Sequence, residues 1–316
     1  MNVKMEALAI ELEQSNEYRV LRRLQPKTEF EQSRGEKAFI GVVLDTETTG
    51  LDPMAEIIEL GMIKFSYSPK TGHILKIVDR FNALQQPNSP IPPEITRLTN
   101  ITDDIVAGCK IDPEAVQAFV ADAKLVIAHN ARFDRPLAER TWPTLADKNW
   151  ACALVEIPWR ENNFESRKLG HLLAEHGLFH SGHRASDDCE ALLHLLSLPL
   201  GATDEPAFAL LLQHARQTTV RIWAQGAHFS MKDMLKLRGY AWADGANGAI
   251  KAWWIDVAEQ DLNSELAFLR AEVFLNPNFI PPMATITAKE RHSARIIQPI
   301  KQGFAPAALS AFPNLA

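Results

Sequence analysis

The chain opens on a helical pattern. Leu8, Leu12, Val20, Leu21 and Leu24 recur at helix spacing among Glu and Arg, which predicts one amphipathic helix over residues 5–24, interrupted near Ser15–Asn16. Residues 25–37 are polar and read as a linker. From Ala38 to Leu44 the run AFIGVVL is almost wholly apolar, the pattern of a strand buried on both faces, and it stops abruptly at DTETTGLD. Two further strand-like runs, EIIELGMIKFS (56–66) and HILKIVDRFNA (73–83), are separated by the turn-rich SPKTG. After the proline-rich PNSPIPPE, the segment ITRLTNITDDIV predicts helix in short pieces. Asp112-Pro113 predicts an N-cap and first helical residue for a helix running to about Ala123. LVIAH predicts a fourth strand, ARFDRPLAER the helix after it, and NWACAL a fifth strand. Helices follow over roughly 166–177, stopped by Gly177, and 186–197, stopped by Pro199.

Three strands, helices, a strand, a helix, a strand and two helices describe an α/β domain with a mixed sheet flanked by helices. It spans 38–200, ending where LPLGATDEP reads as a linker. Residues 205–288 have a separate character and predict a small, Trp-rich C-terminal α+β domain holding Trp223, Trp242, Trp253 and Trp254. Within it GYAW and KAWW predict a hairpin joined by ADGANGA, and alternation sends one of Trp253 and Trp254 inward and the other outward. Lys232, Lys236, Arg238 and Lys251 interleave with Tyr240, Trp242, Trp253 and Trp254, which makes a single-strand stacking platform one reading and a small aromatic core the other. The segment 289–316 is Ala/Pro-rich and is expected to be a partly disordered tail, with Lys289, Arg291, Arg295 and Lys301 as its basic residues.

Length supports this division, since 316 residues suit two domains of unequal size. The composition, 46% hydrophobic and 23% charged, is that of a globular chain with a substantial core. No apolar run approaches a membrane span, and Lys4, Glu6, Glu11 and Glu13 interrupt any secretory core at the N-terminus, so no membrane association is expected. Cys109, Cys152 and Cys189 are odd in number and widely spaced, which argues against a disulfide framework or a zinc site and for a reducing cytoplasm. The net charge of −6 stands against the usual basic footprint of a nucleic-acid binder, an objection that weakens if some acids hold cations.

Three clusters carry candidate chemistry. In Asp45-Thr46-Glu47-Thr48-Thr49-Gly50, two carboxylates at i and i+2 share one face of a strand and offer hard oxygen ligands, while the Thr48–Gly50 turn offers backbone donors to a sugar or phosphate. The plain alternative is a polar strand exit. In His129-Asn130-Ala131-Arg132-Phe133-Asp134, Asp134 falls on the first turn of a helix, where the dipole favours an acid with or without function. In His183-Arg184-Ala185-Ser186-Asp187-Asp188, Ser186 is a candidate N-cap that would put Asp188 in the first turn and His183 in the loop before it.

Taken jointly, Asp45, Glu47, Asp134 and Asp188 with His183 resemble the DEDD exonuclease superfamily in its histidine-bearing, DnaQ-like (DEDDh) branch. EIIELG, IPPEITRLTNIT and KLGHLLAEHGL extend the likeness over about 38–198. The resemblance implies a ribonuclease H-like fold and a two-metal phosphodiesterase releasing nucleotides 3′ to 5′ from single-stranded nucleic acid, DNA favoured. Two cations about 3.5–4 Å apart activate the attacking water and stabilise the leaving oxygen. By the same resemblance Asp45 bridges the metals, Glu47 and Asp188 complete the first, and Asp134 holds the second partly through water. His183 serves as general base. An all-oxygen ligand set favours Mg²⁺ or Mn²⁺ over zinc. The resemblance also makes His129 and Asn130 loop supports or substrate contacts and Leu51 a wedge against the terminal bases, with packing as the plain alternative for Leu51, while Phe133 reads as a core residue. A tyrosine-bearing branch is not favoured, since only Tyr240 has an aspartate, Asp244, at the required spacing, and no helix follows it.

The family offers other roles. A proofreading subunit held on a polymerase is one, although the folded look of the C-terminal extension favours an enzyme acting alone. An RNA-processing exonuclease and a non-catalytic binding module are the others. A homodimer is common among related enzymes, and LSAF (309–312) faintly resembles a sliding-clamp peptide without its glutamine.

Overall fold

The computed structural model describes residues 3–299, apart from 32–34, 36 and 202–204. Lys301 and the LSAF segment lie outside the described residues. Two compact units divide the chain, Met1–Leu212 and Gln213–Ala316.

Helix α1 (Val3–Gln14) ends at the expected break, where Ser15 Oγ donates to the Leu12 carbonyl at 2.7 Å and Asn16 turns left-handed at φ 60°. The second half of the expected helix is not one. Arg22–Arg23 instead form a short strand, β1, parallel to Leu178–Phe179. Arg22 is the physical reason. In a continuous helix its Cα would lie about 13.5 Å beyond that of Glu13, whereas the fold-back brings the guanidinium to within 3.0 Å of Glu13 and 2.7 Å of Glu6. No α1 residue is buried, so its stripe of apolar residues is not a core face. The linker is partly structured, since Phe30 N–H donates to the Leu75 carbonyl and Ile77 N–H to that of Thr28.

The sheet of the first unit is β2 (Phe39–Thr48), β3 (Ile57–Tyr67), β4 (Ile74–Leu84), β5 (Leu125–Ala128) and β6 (Trp150–Cys152), ordered β4-β3-β2-β5-β6. The first three are antiparallel neighbours, and β5 and β6 add in parallel. A mixed five-stranded sheet flanked by helices is the α/β architecture that the pattern predicts, and it is consistent with the ribonuclease H-like fold that the resemblance implies. Between β4 and β5 lie α2 (Pro93–Thr99), α3 (Asp103–Val106) and α4 (Pro113–Val120), the last capped by Asp112, whose carboxylate accepts from Glu114 N–H. Helix α5 (Ala131–Thr141) follows β5, and a further turn, α6 (Ala153–Glu156), replaces the end of the expected fifth strand. One face of the sheet packs Val42, Leu44, Leu60 and Met62 against Val116, Val120 and Leu137, and Phe133, expected in the core, packs half-buried against its margin.

Helix α7 (Leu169–Glu175) is shorter than 166–177, because the preceding residues stay extended, and it stops at left-handed Gly177 (φ 72°). After β7 (Leu178–Phe179), α8 (Ala185–Ser197) crosses the other face of the sheet. Its cap is a correction. Arg184, not Ser186, is the N-cap residue, and the Ala185 N–H is taken at 3.0 Å by the carboxylate of Glu59 on β3. The approach is close because residue 61 is glycine. A Cβ there would lie 2.4 Å from the Ala185 carbonyl carbon. Gly61→Ala is therefore expected to lower stability by about 1–3 kcal/mol through overpacking. It would also push the start of α8 off β3, which a denaturant midpoint measured alongside turnover detects.

The first unit extends past residue 200, where the sequence reading ended the domain. Helix α9 (Ala207–Arg216) places Phe208 edge-on against Tyr67 and Phe65.

The second unit is an antiparallel sheet of β8 (Thr219–Ala224), β9 (Ala241–Ala243), β10 (Ala252–Ala258) and β11 (Met283–Ile286), ordered β11-β8-β10-β9, with α10 (Lys232–Leu237) and α11 (Leu262–Phe268). The β9–β10 hairpin joined by ADGANGA is as expected, with Trp253 opposite Trp242. Trp253 packs into the core with Leu235 and Tyr240, and Trp254 lies on the opposite face. Three of the four aromatics are used by the fold. Tyr240 donates to Glu265 at 2.7 Å, Trp253 is buried, and the Trp254 ring is covered by the Arg221 guanidinium, itself paired with Asp256. Trp242 alone of the four is exposed, at 51%. Arg238 is likewise held by Glu265. The tail expectation fails for its first part, since Arg291 is buried and donates to the carbonyls of His214 and Gln217.

Candidate active site

The site forms where β2 ends. Strand alternation puts Asp45 and Glu47 on the α8 face, and the paired positions on β3 are Gly61 and Glu59. Asp188, in the first turn of α8, comes to the same place. Carboxylate oxygens of Asp45, Glu47 and Asp188 all lie within 4.8 Å of one another. Asp134 is not in that trio. It enters from α5 on the other side of β2, nearly fully buried, and its Oδ1 accepts from the hydroxyl of Thr46 at 2.8 Å and the Thr46 N–H at 3.2 Å.

Asp188 is wrapped by the loop before it. Its Oδ2 accepts the His183 N–H at 2.9 Å, and its Oδ1 meets His180 Nε2 at 2.7 Å. His183 is exposed and left-handed at φ 67°, a region that histidine enters more readily than most non-glycine residues. His180 was not singled out from the sequence, although it stands three residues before His183. Glu59 was missed as well. It is fully buried and accepts three bonds from Arg184 (Nε–H shared between both oxygens, Nη2–H to Oε1), one from Ala185 N–H and one from Asn82. A glutamate inside the apolar run Ile57–Ile63 was the available signal, because such a charge is almost never buried unpaired. The Glu59–Arg184 pair fixes the residue next to His183.

The motif after Glu47 differs in detail from expectation. Thr48 is still in β2 and donates its hydroxyl to the Gly50 carbonyl, and the Thr49 N–H is already given to Glu56. Leu51 is 87% exposed, so packing does not explain it. His129 donates Nε2–H to the Arg167 carbonyl at 2.8 Å, a loop support, and Asn130 is exposed ahead of α5.

The electrostatics show strain that a cation would relieve. Burial, then the charges of Asp134, Asp188 and Glu47, push the Asp45 carboxyl well above the usual aspartate range. Burial and the Asp188 charge push Glu47 up to about 8. Burial raises Asp134 to about 7 against the hydrogen bonds from Thr46. Four crowded carboxylates with only oxygen to offer fit hard divalent cations. The pH dependence follows. Glu47 and Asp134 hold protons more tightly folded than unfolded, so stability is greatest below about pH 4 on their account. It is lost as pH rises through about 7–8. The metal-free melting temperature should therefore fall between pH 5 and pH 8, and added Mg²⁺ should raise it more at pH 8 than at pH 5. A metal-free melting temperature that rises over this interval contradicts the assignment.

Residues 42–196 match the RNase T exonuclease family. The chain is 35% identical over 167 residues to a PolC-type DNA polymerase III of Halalkalibacterium halodurans, covering 49% of this chain and 11% of that protein. It is 29% identical over 206 residues to DNA polymerase III subunit epsilon of Treponema pallidum, covering 60% of this chain and 89% of the relative. The chain thus spans about a tenth of the PolC-type relative. Among solved structures, Exonuclease X in complex with 5′ overhanging duplex DNA is similar at 25% identity and TM-score 0.38, over 55% of this chain and 90% of that one. E. coli Exonuclease I in complex with a dA16 oligonucleotide is similar at 16% identity and TM-score 0.45, over 70% and 63%. The match to the exonuclease family, over residues 42–196, takes in all four carboxylates and His183. The family is divalent-metal dependent, and among the described residues no helix is long and apolar enough to cross a membrane.

Proposed function

We propose that the chain is a 3′–5′ exonuclease that removes nucleotides from the end of a single nucleic-acid strand, DNA in preference to RNA. The observation that carries this is the convergence of Asp45, Glu47 and Asp188 within 4.8 Å at the end of a buried strand. Asp45, Glu47 and Asp188 would hold one Mg²⁺ or Mn²⁺, and Asp45 with Asp134 a second. Bound there, divalent cations supply a lowered water pKa and charge stabilisation at the scissile phosphate. The protein supplies the rest. Thr46 aims Asp134, and His180 with the His183 N–H aims Asp188. The exposed His183 imidazole takes the proton of the attacking water. Leu51 meets the terminal base. Preference for DNA is supported by the DNA polymerase III relatives, and a reducing cytoplasm by three free cysteines.

Matched DNA and RNA strands, single and double, labelled at either end, test the reading. Shortening from the 3′ end, fastest on single-stranded DNA, is expected. Faster loss of RNA would replace the DNA preference with an RNA-processing role. A second reading, attachment to a DNA polymerase, has in its favour the likeness to 89% of the Treponema epsilon subunit. Co-elution with a replicative polymerase core on size exclusion would support it, and separate elution at micromolar concentration would count against it.

A further inference from the structure

Directly after Glu47 the chain builds a tightly tied loop. Its neck is closed twice, by Thr49 N–H donating to the Glu56 carbonyl at 2.9 Å and Glu56 N–H to Thr49 Oγ1 at 3.0 Å. Inside it, Met54 N–H donates to Asp52 Oδ1 at 2.8 Å and Ala55 N–H to the Asp52 carbonyl at 3.0 Å. Such ordering removes conformational freedom and needs a compensating return. Packing is not the return, because the loop's two large apolar side chains point into solvent, Leu51 at 87% and Met54 at 79% exposure.

The loop is also held from outside. Arg140, near the end of α5, donates Nη1–H to the Pro53 carbonyl at 2.5 Å and Nη2–H to the Ala55 carbonyl at 2.6 Å. Among the described residues it has no acidic partner within salt-bridge distance, so its guanidinium is given wholly to this loop. A planar fork binds two carbonyls at once and fixes their mutual position, which a single-point ammonium does not. The helix that carries this fork also carries Asp134, and the strand that feeds the loop carries Asp45 and Glu47. The display of Leu51 and Met54 is thus tied at both ends to the elements that hold the carboxylates.

We propose that Arg140 is a positioning residue for substrate. It locks residues 51–55 so that Met54 joins Leu51 in an apolar contact for the last two bases of a single strand entering the carboxylate site. The inference rests on the exonuclease reading above. Unpaired bases offer apolar faces to such side chains regardless of sequence, whereas a duplex end keeps those faces stacked and paired. Met54 contributes a side chain that adapts to any base.

Two substrates and three variants test it, all in Mg²⁺. One substrate is a thymidine 5′-phosphate p-nitrophenyl ester, which has a scissile phosphate but no second base. The other is a ten-nucleotide single strand. Arg140→Ala should raise KM for the strand about tenfold, the scale of one lost base contact, and leave kcat and ester turnover within about twofold. Met54→Ala, which removes no side-chain hydrogen bond, should raise the same KM about fivefold, the low end of that scale. Arg140→Lys, able to reach one carbonyl, should fall between Arg140→Ala and wild type. The proposal is overturned if Arg140→Ala slows both substrates by one factor, as general damage to the fold would, or if either alanine variant leaves the strand KM unchanged. Wild-type protein inert on both substrates would overturn the exonuclease reading itself, and this inference with it.

Discussion

Asp45→Asn should abolish nucleotide release while leaving a folded protein that melts higher than wild type in the absence of metal. Asp45 is the most crowded carboxylate of the site. Asp134, Asp188, Glu47 and Glu59 all act to raise its pKa on top of its burial. An isosteric amide removes one negative charge from that cluster and keeps the packing, so repulsion among the remaining acids falls. The same change removes the only ligand assigned to both cations. Loss of at least about 10³-fold in kcat is expected, the scale on which a preorganised electrostatic element acts. Thermal denaturation with and without Mg²⁺ should show the reversed order. Wild type gains stability from the cation, and the variant gains little. A variant with wild-type turnover in saturating Mg²⁺ would remove Asp45 from the metal site.

His183→Ala should lose about 10²–10⁴-fold in kcat, the usual contribution of a general base, with metal affinity nearly unchanged. The contrast with His180 makes this sharp. His180 spends its Nε2 on Asp188, whereas His183 reaches Asp188 only through its backbone N–H, which alanine retains. His180→Ala should therefore weaken Mn²⁺ binding about 10–100-fold, as loss of a ligand's supporting hydrogen bond does. Its effect on turnover should be recoverable at high metal concentration, and that of His183→Ala should not. Calorimetry showing that His183→Ala no longer binds Mn²⁺ would make His183 a ligand or structural residue instead.

The five strands and the carboxylate-bearing segments were legible because their patterns are local. AFIGVVL has the pattern of a doubly buried strand, which β2 is from Phe39 onward, and Asp112-Pro113 carries its own cap chemistry. The failures have non-local causes. The second half of the first helix is lost to Arg22, whose partners lie back in α1. The cap of α8 comes from Glu59, 126 residues away, so the local candidate Ser186 is not used. The domain end moves past residue 200 because Phe208 finds Tyr67 and Phe65, a contact no window around LPLGATDEP reveals. The same holds at the site. Motif spacing singled out the four acids and His183 as candidates, but not that Thr46 holds Asp134, nor that His180 meets Asp188.

The central claim, that this carboxylate cluster works with divalent cations to shorten strands from the 3′ end, is tested most directly by one time course. A 5′-labelled single-stranded DNA oligonucleotide is incubated with the wild-type chain in Mg²⁺, then in excess chelator, then with Mg²⁺ restored. The predicted result is a ladder that shortens one nucleotide at a time, stops on chelation and resumes on restoration. Shortening that continues in chelator, or internal fragments in place of a ladder, would contradict it.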